Sequence, residues 1–380
     1  MSRSRDRLPV TVVSSFGGVR GGAEQWLASA LELTDQLRVR AVLLQDGPLA
    51  DELAAHGADV AVIPTGSSPA AIMRASTRVL ADFRRHRPAV VAGNNVKAQL
   101  ALIGPARALR IPSVWIKHDH SYDSLLALRL GAASTEVVST ALEVGLPTRR
   151  SDLVVIEPPR PPEPLPRSEA LAELAQLGYR PGEGTTLVMI GRLVPYKGVD
   201  IGITALTYPA ADGWRLAVIG DDGSDGDAEL HRLRRLAADL GVMDRVDFLG
   251  AIPGAGRLVA AFDALAVLTR PGQRGAPDRE GYGITATEAM LAAVPVVVAG
   301  KGPIARRLDT PAGPAGLVVR PADPLATARA LQCLTVEAER ATLGAAGRAV
   351  AVDLPDAQQV SDALVEVLCR AAASGGRHGG

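Results

Sequence analysis

Two doubly wound α/β domains facing a central cleft are the architecture this sequence predicts, and three observations lead there. Short apolar runs rich in Val and Ile recur along the chain, each ending in Gly, Pro, Asn or His and followed by a longer Ala/Leu/Arg segment of helical period. The runs are continuously apolar rather than alternating, as strands buried on both faces of a parallel sheet must be. The rhythm breaks once, at the run Pro-Pro-Arg-Pro-Pro-Glu-Pro-Leu-Pro at 158–166, and then restarts.

In the first half the strands fall at 10–14, 39–45, 60–64, 89–93, 113–118, 136–139 and 153–157. The second half places them at 185–190, 215–220, 245–249, 264–269, 295–299 and 316–320, with helices between. The proline run supports neither helix nor central strand and behaves as a stiff connector. A chain of 380 residues also exceeds the roughly 250–300 that one core sustains. The expected organisation is a first domain over 1–158, a linker over 159–168, a second domain over 169–354, a closing helix over 355–373 and a disordered tail over 374–380.

Composition narrows the function. Lys plus Arg total 41 and Asp plus Glu total 41, so the formal charge is zero and no nucleic-acid partner is expected. Hydrophobic residues at 47% and charged residues at 22% fit a globular chain. Cys333 and Cys369 show neither paired spacing nor a neighbouring His cluster, so no disulfide framework or zinc site is indicated and a reducing compartment is the default. The N-terminal apolar run is too short for a secretion signal, and no stretch approaches the roughly 20 residues that span a bilayer. The expected location is cytoplasmic, with peripheral membrane contact left open but not favoured.

Ligands of open α/β sheets sit beyond the carboxyl ends of the strands, so the segments that follow strands carry the chemistry. Five stand out. Residues 14–24, Ser-Ser-Phe-Gly-Gly-Val-Arg-Gly-Gly-Ala-Glu, form a glycine-rich strand-to-helix turn whose amides can approach a phosphate or sugar. The glycine spacing fails the dinucleotide fingerprint, and an unliganded tight turn remains the plain alternative. Residues 115–120, Trp-Ile-Lys-His-Asp-His, place His118 at a strand end; metal ligation there lacks a fourth partner, and a structural His is the commoner case. In Gly-Arg-Leu-Val-Pro-Tyr-Lys-Gly at 191–198, Arg192 and Lys197 put two cations beside a helix start, suited to a diphosphate unless they are simply solvated. The acidic turn at 221–227 lacks the downstream Glu of a calcium loop. Residues 280–288, Glu-Gly-Tyr-Gly-Ile-Thr-Ala-Thr-Glu, combine Gly281 and Gly283 at a helix start near 283 with Glu280 before it and Glu288 within it, carboxylates placed to accept hydrogen bonds from hydroxyls.

These residues give the chain its resemblance to the retaining glycosyltransferases of GT-B fold, family four of the glycosyltransferases. The similarity rests on Gly-Gly-Ala-Glu at 21–24, His118, Gly191-Arg192 with Lys197-Gly198, Phe-Leu-Gly at 248–250, the Glu280 and Glu288 pair, Pro-Val-Val at 295–297 and Gly-Leu-Val-Val at 316–319. It spans about 300 residues in the family's order. The resemblance implies two Rossmann-like domains, the second holding a nucleoside-diphosphate sugar and the first an acceptor. Arg192 and Lys197 would neutralise the diphosphate, Glu288 hold the ribose, Glu280 and His118 contact the donor sugar, and amides near Leu249 and Ile252 read the base. Gly22, Gly281, Tyr282, Gly283 and Ile284 would complete the donor site. Gly21, Gly22, Glu24, Asn94, Asn95, Lys117 and His118 would form the acceptor side.

The implied reaction moves a sugar to an acceptor hydroxyl with retention, by front-face attack without metal or other cofactor, on a small natural product or a growing glycan. Related readings keep the fold but make the reaction an epimerisation, a phosphorylase-type transfer or glycolipid synthesis at a membrane. A non-catalytic reading is a hinged sugar-binding protein. The basic runs at 84–87 and 231–235 fit a membrane surface or, more plainly, solvated helix faces.

Overall fold

The structure is a computed structural model that describes residues 7–15, 17, 22–32, 34–221, 228–270 and 280–376. It divides into two compact units, Met1–Pro159 with Pro355–Gly380, and Arg160–Leu354.

The first unit runs β1 (Leu8–Ser14), α1 (Gly22–Glu32), β2 (Leu37–Leu43), α2 (Pro48–Ala55), β3 (Asp59–Val62), α3 (Pro69–His86), β4 (Val90–Asn94), α4 (Val96–Ala108), β5 (Ser113–Lys117), α5 (Leu125–Ala133), β6 (Glu136–Ser139), α6 (Leu142–Gly145) and β7 (Val154–Val155). Its sheet is parallel in the order β3-β2-β1-β4-β5-β6-β7. Every residue of β4 and β5 is buried, which is why these stretches read as unbroken apolar runs. Ser68 caps α3 by accepting a hydrogen bond from Ala71 N, and Pro69 at the first helical position presets its start.

The last helix, α14 (Ala357–Gly376), belongs to this unit. Val360, Leu364 and Leu368 join Trp26 and Leu27 of α1 in one core cluster. Arg370 of the same helix pairs with Glu136 of β6 at 3.0 Å. Where the sequence predicts a disordered tail from residue 374, the helix continues to Gly376. Gly375 lies so close to Pro112 that a Cβ there would overlap the proline ring, so the glycine that reads as a breaker is what lets the helix end dock.

The second unit runs α7 (Arg167–Gln176), β8 (Thr185–Ile190), α8 (Val199–Ala205), β9 (Trp214–Ile219), α9 (Ala228–Asp239), β10 (Val246–Gly250), β11 (Ala264–Val267), α10 (Ile284–Leu291), β12 (Val296–Ala299), α11 (Pro303–Leu308), β13 (Asp309–Thr310), β14 (Gly313–Pro314), β15 (Leu317–Val319), α12 (Pro324–Cys333) and α13 (Glu337–Val352). The main sheet is parallel in the order β10-β9-β8-β11-β12-β15. Strands β13 and β14 form an antiparallel hairpin that the sequence does not announce, because two-residue strands show no periodicity.

Both sheets are doubly wound, Rossmann-like layers. Strand order reverses between β1 and β4 in the first and between β8 and β11 in the second, and these switch points are where such sheets bind ligands. Among the described residues no helix is long and apolar enough to cross a membrane.

Candidate functional site

In the second unit the switch point is built from the segments after β8 and β11. Beyond β8 the chain passes Gly191 and Arg192 into a short 3₁₀ turn, Pro195–Lys197, and α8 opens at Val199. Arg270, just past β11, fixes that turn: its backbone N–H donates to Tyr196 O at 2.9 Å, and its guanidinium reaches Asp200 at 2.6 Å. Lys197 is thereby aimed across the switch point at Glu280, with Nζ 2.8 Å from Oε2. Thr269 donates its hydroxyl to the same oxygen, also at 2.8 Å.

Electrostatics follow from this knot. Burial alone would push Glu280 toward its neutral form, but the Lys197 ammonium and the Thr269 and Gly281 donors outweigh it and hold the carboxyl below its ordinary range. Burial likewise opposes the Lys197 charge, and Glu280 overcomes it, so Lys197 titrates above its usual range. Gly191, Arg192, Lys197, Thr269, Glu280 and Thr285 line a common pocket. Arg192 is exposed and donates to the Tyr196 hydroxyl at 2.8 Å.

Gly283 has φ +81° and caps α10, which starts at Ile284; a Cβ there would overlap Ile304 of α11. Neighbouring Tyr282 is buried beneath the Arg307 guanidinium, 4.1 Å from the ring centroid. One turn into α10, the Glu288 carboxyl occupies the space a Cβ on Gly256 would need, and burial raises its pKa to about 7. Leu249 and Ile252 pack against the adjoining core cluster, and Gly250 turns the chain between them at φ +72°.

The first unit brings the ends of β1, β4 and β5 together. Asn94 Nδ2 donates to Ser14 Oγ at 3.1 Å, which leaves Asn94 Oδ1 to accept from His118 Nε2 at 2.6 Å. On that assignment the Nδ1 atom of His118 keeps its lone pair. Burial, assisted by the adjacent Lys117 charge, lowers the His118 pKa to about 3, so the ring is neutral near pH 7. Trp26 of α1 meets the ring edge-on, centroids 5.3 Å apart. The His118 carbonyl accepts from Thr140 Oγ1 at 3.2 Å.

Lys117 is 1% exposed, its ammonium bonded to Asp119 O and to Asp123 Oδ1 at 2.6 Å, while Asp123 Oδ2 faces His120 Nδ1 at 2.9 Å. Asn95 takes φ +78°, a conformation rare for a non-glycine residue, at the entry to α4. Glu24 is buried in the first turn of α1, and Gly22 opens that helix. Gly21 lies outside the described residues, as do 222–227 of the acidic turn.

Sequence reasoning missed Thr269, Thr140 and Asp123. Thr269 is the last residue of the predicted strand 264–269 and stands two residues past the observed β11, so it is reachable by asking what stands at each strand end. Asp123 sits six residues past Lys117 in a loop, and no periodicity marks it.

Residues 178–350 match the model of the family described as glycosyl transferases group 1. Among curated proteins, the chain is 39% identical over 189 residues to a GDP-mannose-dependent alpha-(1-6)-phosphatidylinositol monomannoside mannosyltransferase of Mycobacterium tuberculosis, covering 48% of this chain and 46% of that protein. It is 34% identical over 169 residues to a D-inositol 3-phosphate glycosyltransferase of Acidothermus cellulolyticus, covering 43% and 36% respectively. In these alignments the chain spans half or less of its relatives' length. Among solved structures, Anabaena HepE in complex with UDP and glucose matches with TM-score 0.76 at 20% identity, over 94% of this chain and 99% of that one. Sucrose-phosphate synthase of Thermosynechococcus elongatus matches with TM-score 0.75 at 19% identity, over 97% and 100%. At these identities the likeness is one of fold, and that fold is GT-B.

Proposed function

We propose that this chain, whose residues 178–350 match the model of glycosyl transferases group 1, is a glycosyltransferase that takes a hexosyl group from a nucleoside-diphosphate sugar to an acceptor hydroxyl with retention. The observation that carries the reading is the Lys197, Glu280 and Thr269 knot at the β8/β11 switch point, with Arg192 beside it.

An ammonium has three donors, and Glu280 uses one of those on Lys197; the others, with Arg192 and the amides at the start of α10, meet the charge that develops on the leaving diphosphate. Glu280 accepts from a sugar hydroxyl, and Glu288 serves the ribose. Leu249 and Ile252 flank the base. With the leaving-group charge met this way, the step is proposed to run without a metal ion or other cofactor. The leaving phosphate accepts the proton of the acceptor hydroxyl as the new glycosidic bond forms on the face that the leaving group vacates.

The acceptor side is assigned to the first unit. Neutral His118, held by Asn94, offers the Nδ1 lone pair to a hydroxyl, with Glu24, Asn95 and Lys117 around it. Relatives named for GDP-mannose, phosphatidylinositol mannoside and inositol phosphate support a polyol, glycan or glycolipid acceptor. The test is release of nucleoside diphosphate from UDP-glucose and GDP-mannose offered with such acceptors. Arg192→Ala and Lys197→Ala should each lower kcat/KM by roughly 10²–10³ with the fold intact. Unchanged turnover in both variants contradicts the assignment.

A further inference from the structure

The turn that leads into α10, Gly281-Tyr282-Gly283, holds two glycines and a single side chain. Glycine imposes little conformation of its own, so whatever fixes Tyr282 fixes the turn. Tyr282 is buried, and the Arg307 guanidinium lies over its ring. The same guanidinium donates through Nη1 to Thr287 Oγ1 at 3.2 Å, and the Thr287 hydroxyl donates in turn to Gly283 O at 3.3 Å. Ile304, three residues before Arg307 and on the same face of α11, fills the space beside Gly283 that a Cβ would need. A six-residue helix thus holds the entrance of α10 at the ring, the glycine and the hydroxyl.

This hold is distinct from the one at the other end of the turn. Glu280 is fixed from the β8/β11 side by Lys197 and Thr269, whereas Tyr282, Gly283 and Thr287 are fixed from α11. The segment between carries the groups assigned to the donor: Glu280 stands just before the turn, the amides that open α10 follow it, and Glu288 is next to Thr287. Arginine suits the task because its planar group can present its face to a ring and an N–H from its edge to a hydroxyl at once. A lysine ammonium is a point charge and cannot combine the two in that way.

We propose that Arg307 is a positioning residue of the donor site, locking the Gly281–Gly283 turn, and with it Glu280 and the opening amides of α10, in the geometry that receives a nucleotide sugar. Without the lock, each binding event would have to order the turn first, which weakens donor binding and leaves the chemical step largely as it was. That kinetic consequence rests on the transferase reading; the lock itself does not.

Hydrogen–deuterium exchange of the ligand-free chain reads the lock directly. Arg307→Met keeps most of the side chain's bulk but supplies neither the cation nor the donor. With native circular dichroism, it should speed exchange of the amides over 283–288 about tenfold and leave β8 and β9 unchanged. In hydrolysis of UDP-glucose or GDP-mannose without acceptor, the same variant should raise the donor KM about tenfold and change kcat less than about threefold. Arg307→Lys should fall between wild type and Arg307→Met in both measurements. Tyr282→Leu should reproduce the Arg307→Met effect, and the double variant should be little worse than either single one, since both break one contact. Unchanged exchange over 283–288, exchange raised equally throughout the second unit, or full additivity of the two variants would each overturn the proposal. The exchange measurement needs no substrate, so loss of the lock and failure of the transferase reading are told apart: the first is read from exchange, the second from absent turnover.

Discussion

Lys197 Nζ and Glu280 Oε2, 83 residues apart in sequence, meet at 2.8 Å across the switch point of the second sheet. The pair is partly shielded, with 28% and 21% of the two side chains exposed, so it sits between a surface ion pair and a buried one. Removing one partner by Lys197→Met or Glu280→Gln should therefore destabilise the protein by about 1–3 kcal/mol. The double variant should recover part of that loss without recovering turnover, as a urea-denaturation cycle alongside kinetics would show. Because the folded Glu280 titrates below its ordinary value, its stabilisation is full above pH 4.5 and is lost as pH falls through the folded pKa. Glu280→Gln should flatten that acid limb.

Glu288 titrates in the opposite sense. Burial raises its folded pKa from 4.5 to about 7, so between those values the native state binds a proton that the unfolded chain does not. Stability should fall as pH rises from 4.5 through 7 and level off above it. Glu288→Gln should remove this slope and gain about 2 kcal/mol at pH 8 relative to wild type, read from urea midpoints at pH 5 and pH 8.

Gly283 combines a positive φ with contact to Ile304, so any side chain is both strained and crowded there. Gly283→Ala should cost about 2–4 kcal/mol, and relieving the crowding with Ile304→Val should return only part of it, because the backbone strain remains. Thermal unfolding of the single and double variants checks this.

His118 should stay neutral across the working pH range. Its depressed pKa, from 6.5 to about 3, means that stability is lost as pH falls below 6.5, where the unfolded histidine takes up a proton and the folded one does not. Nitrogen NMR of the ring should show no titration between pH 5 and pH 8. Asn94→Ala, which removes the Nε2 partner, should lower activity while leaving the ring neutral, since burial rather than Asn94 sets its pKa.

All thirteen predicted strands appear in the two main sheets, because a strand buried on both faces must be continuously apolar and such runs stand out against Ala/Arg-rich helices. The rule that ligands lie beyond strand ends then located His118, Arg192, Lys197 and the 280–288 segment. Side-chain partnership was not legible. Arg192 and Lys197 read as two equivalent cations, whereas one is exposed and the other is held by Glu280, and nothing in the spacing distinguishes them. Lys117 is expected on the acceptor side, and nothing in its spacing shows that its ammonium also holds Asp123. Pairing of this kind depends on how loops from different strands meet, which the period of a single segment does not encode.

The central claim is that the second unit binds a nucleoside diphosphate through Arg192 and Lys197. The most direct measurement is thermal unfolding of the chain with UDP, GDP, ADP and dTDP in turn, NAD as control, with and without excess chelator. The account predicts a rise in Tm of about 5 °C for one preferred base at saturating ligand, unaffected by chelator and lost in Arg192→Ala and Lys197→Ala. No shift with any nucleoside diphosphate, or a shift with NAD alone, would contradict it.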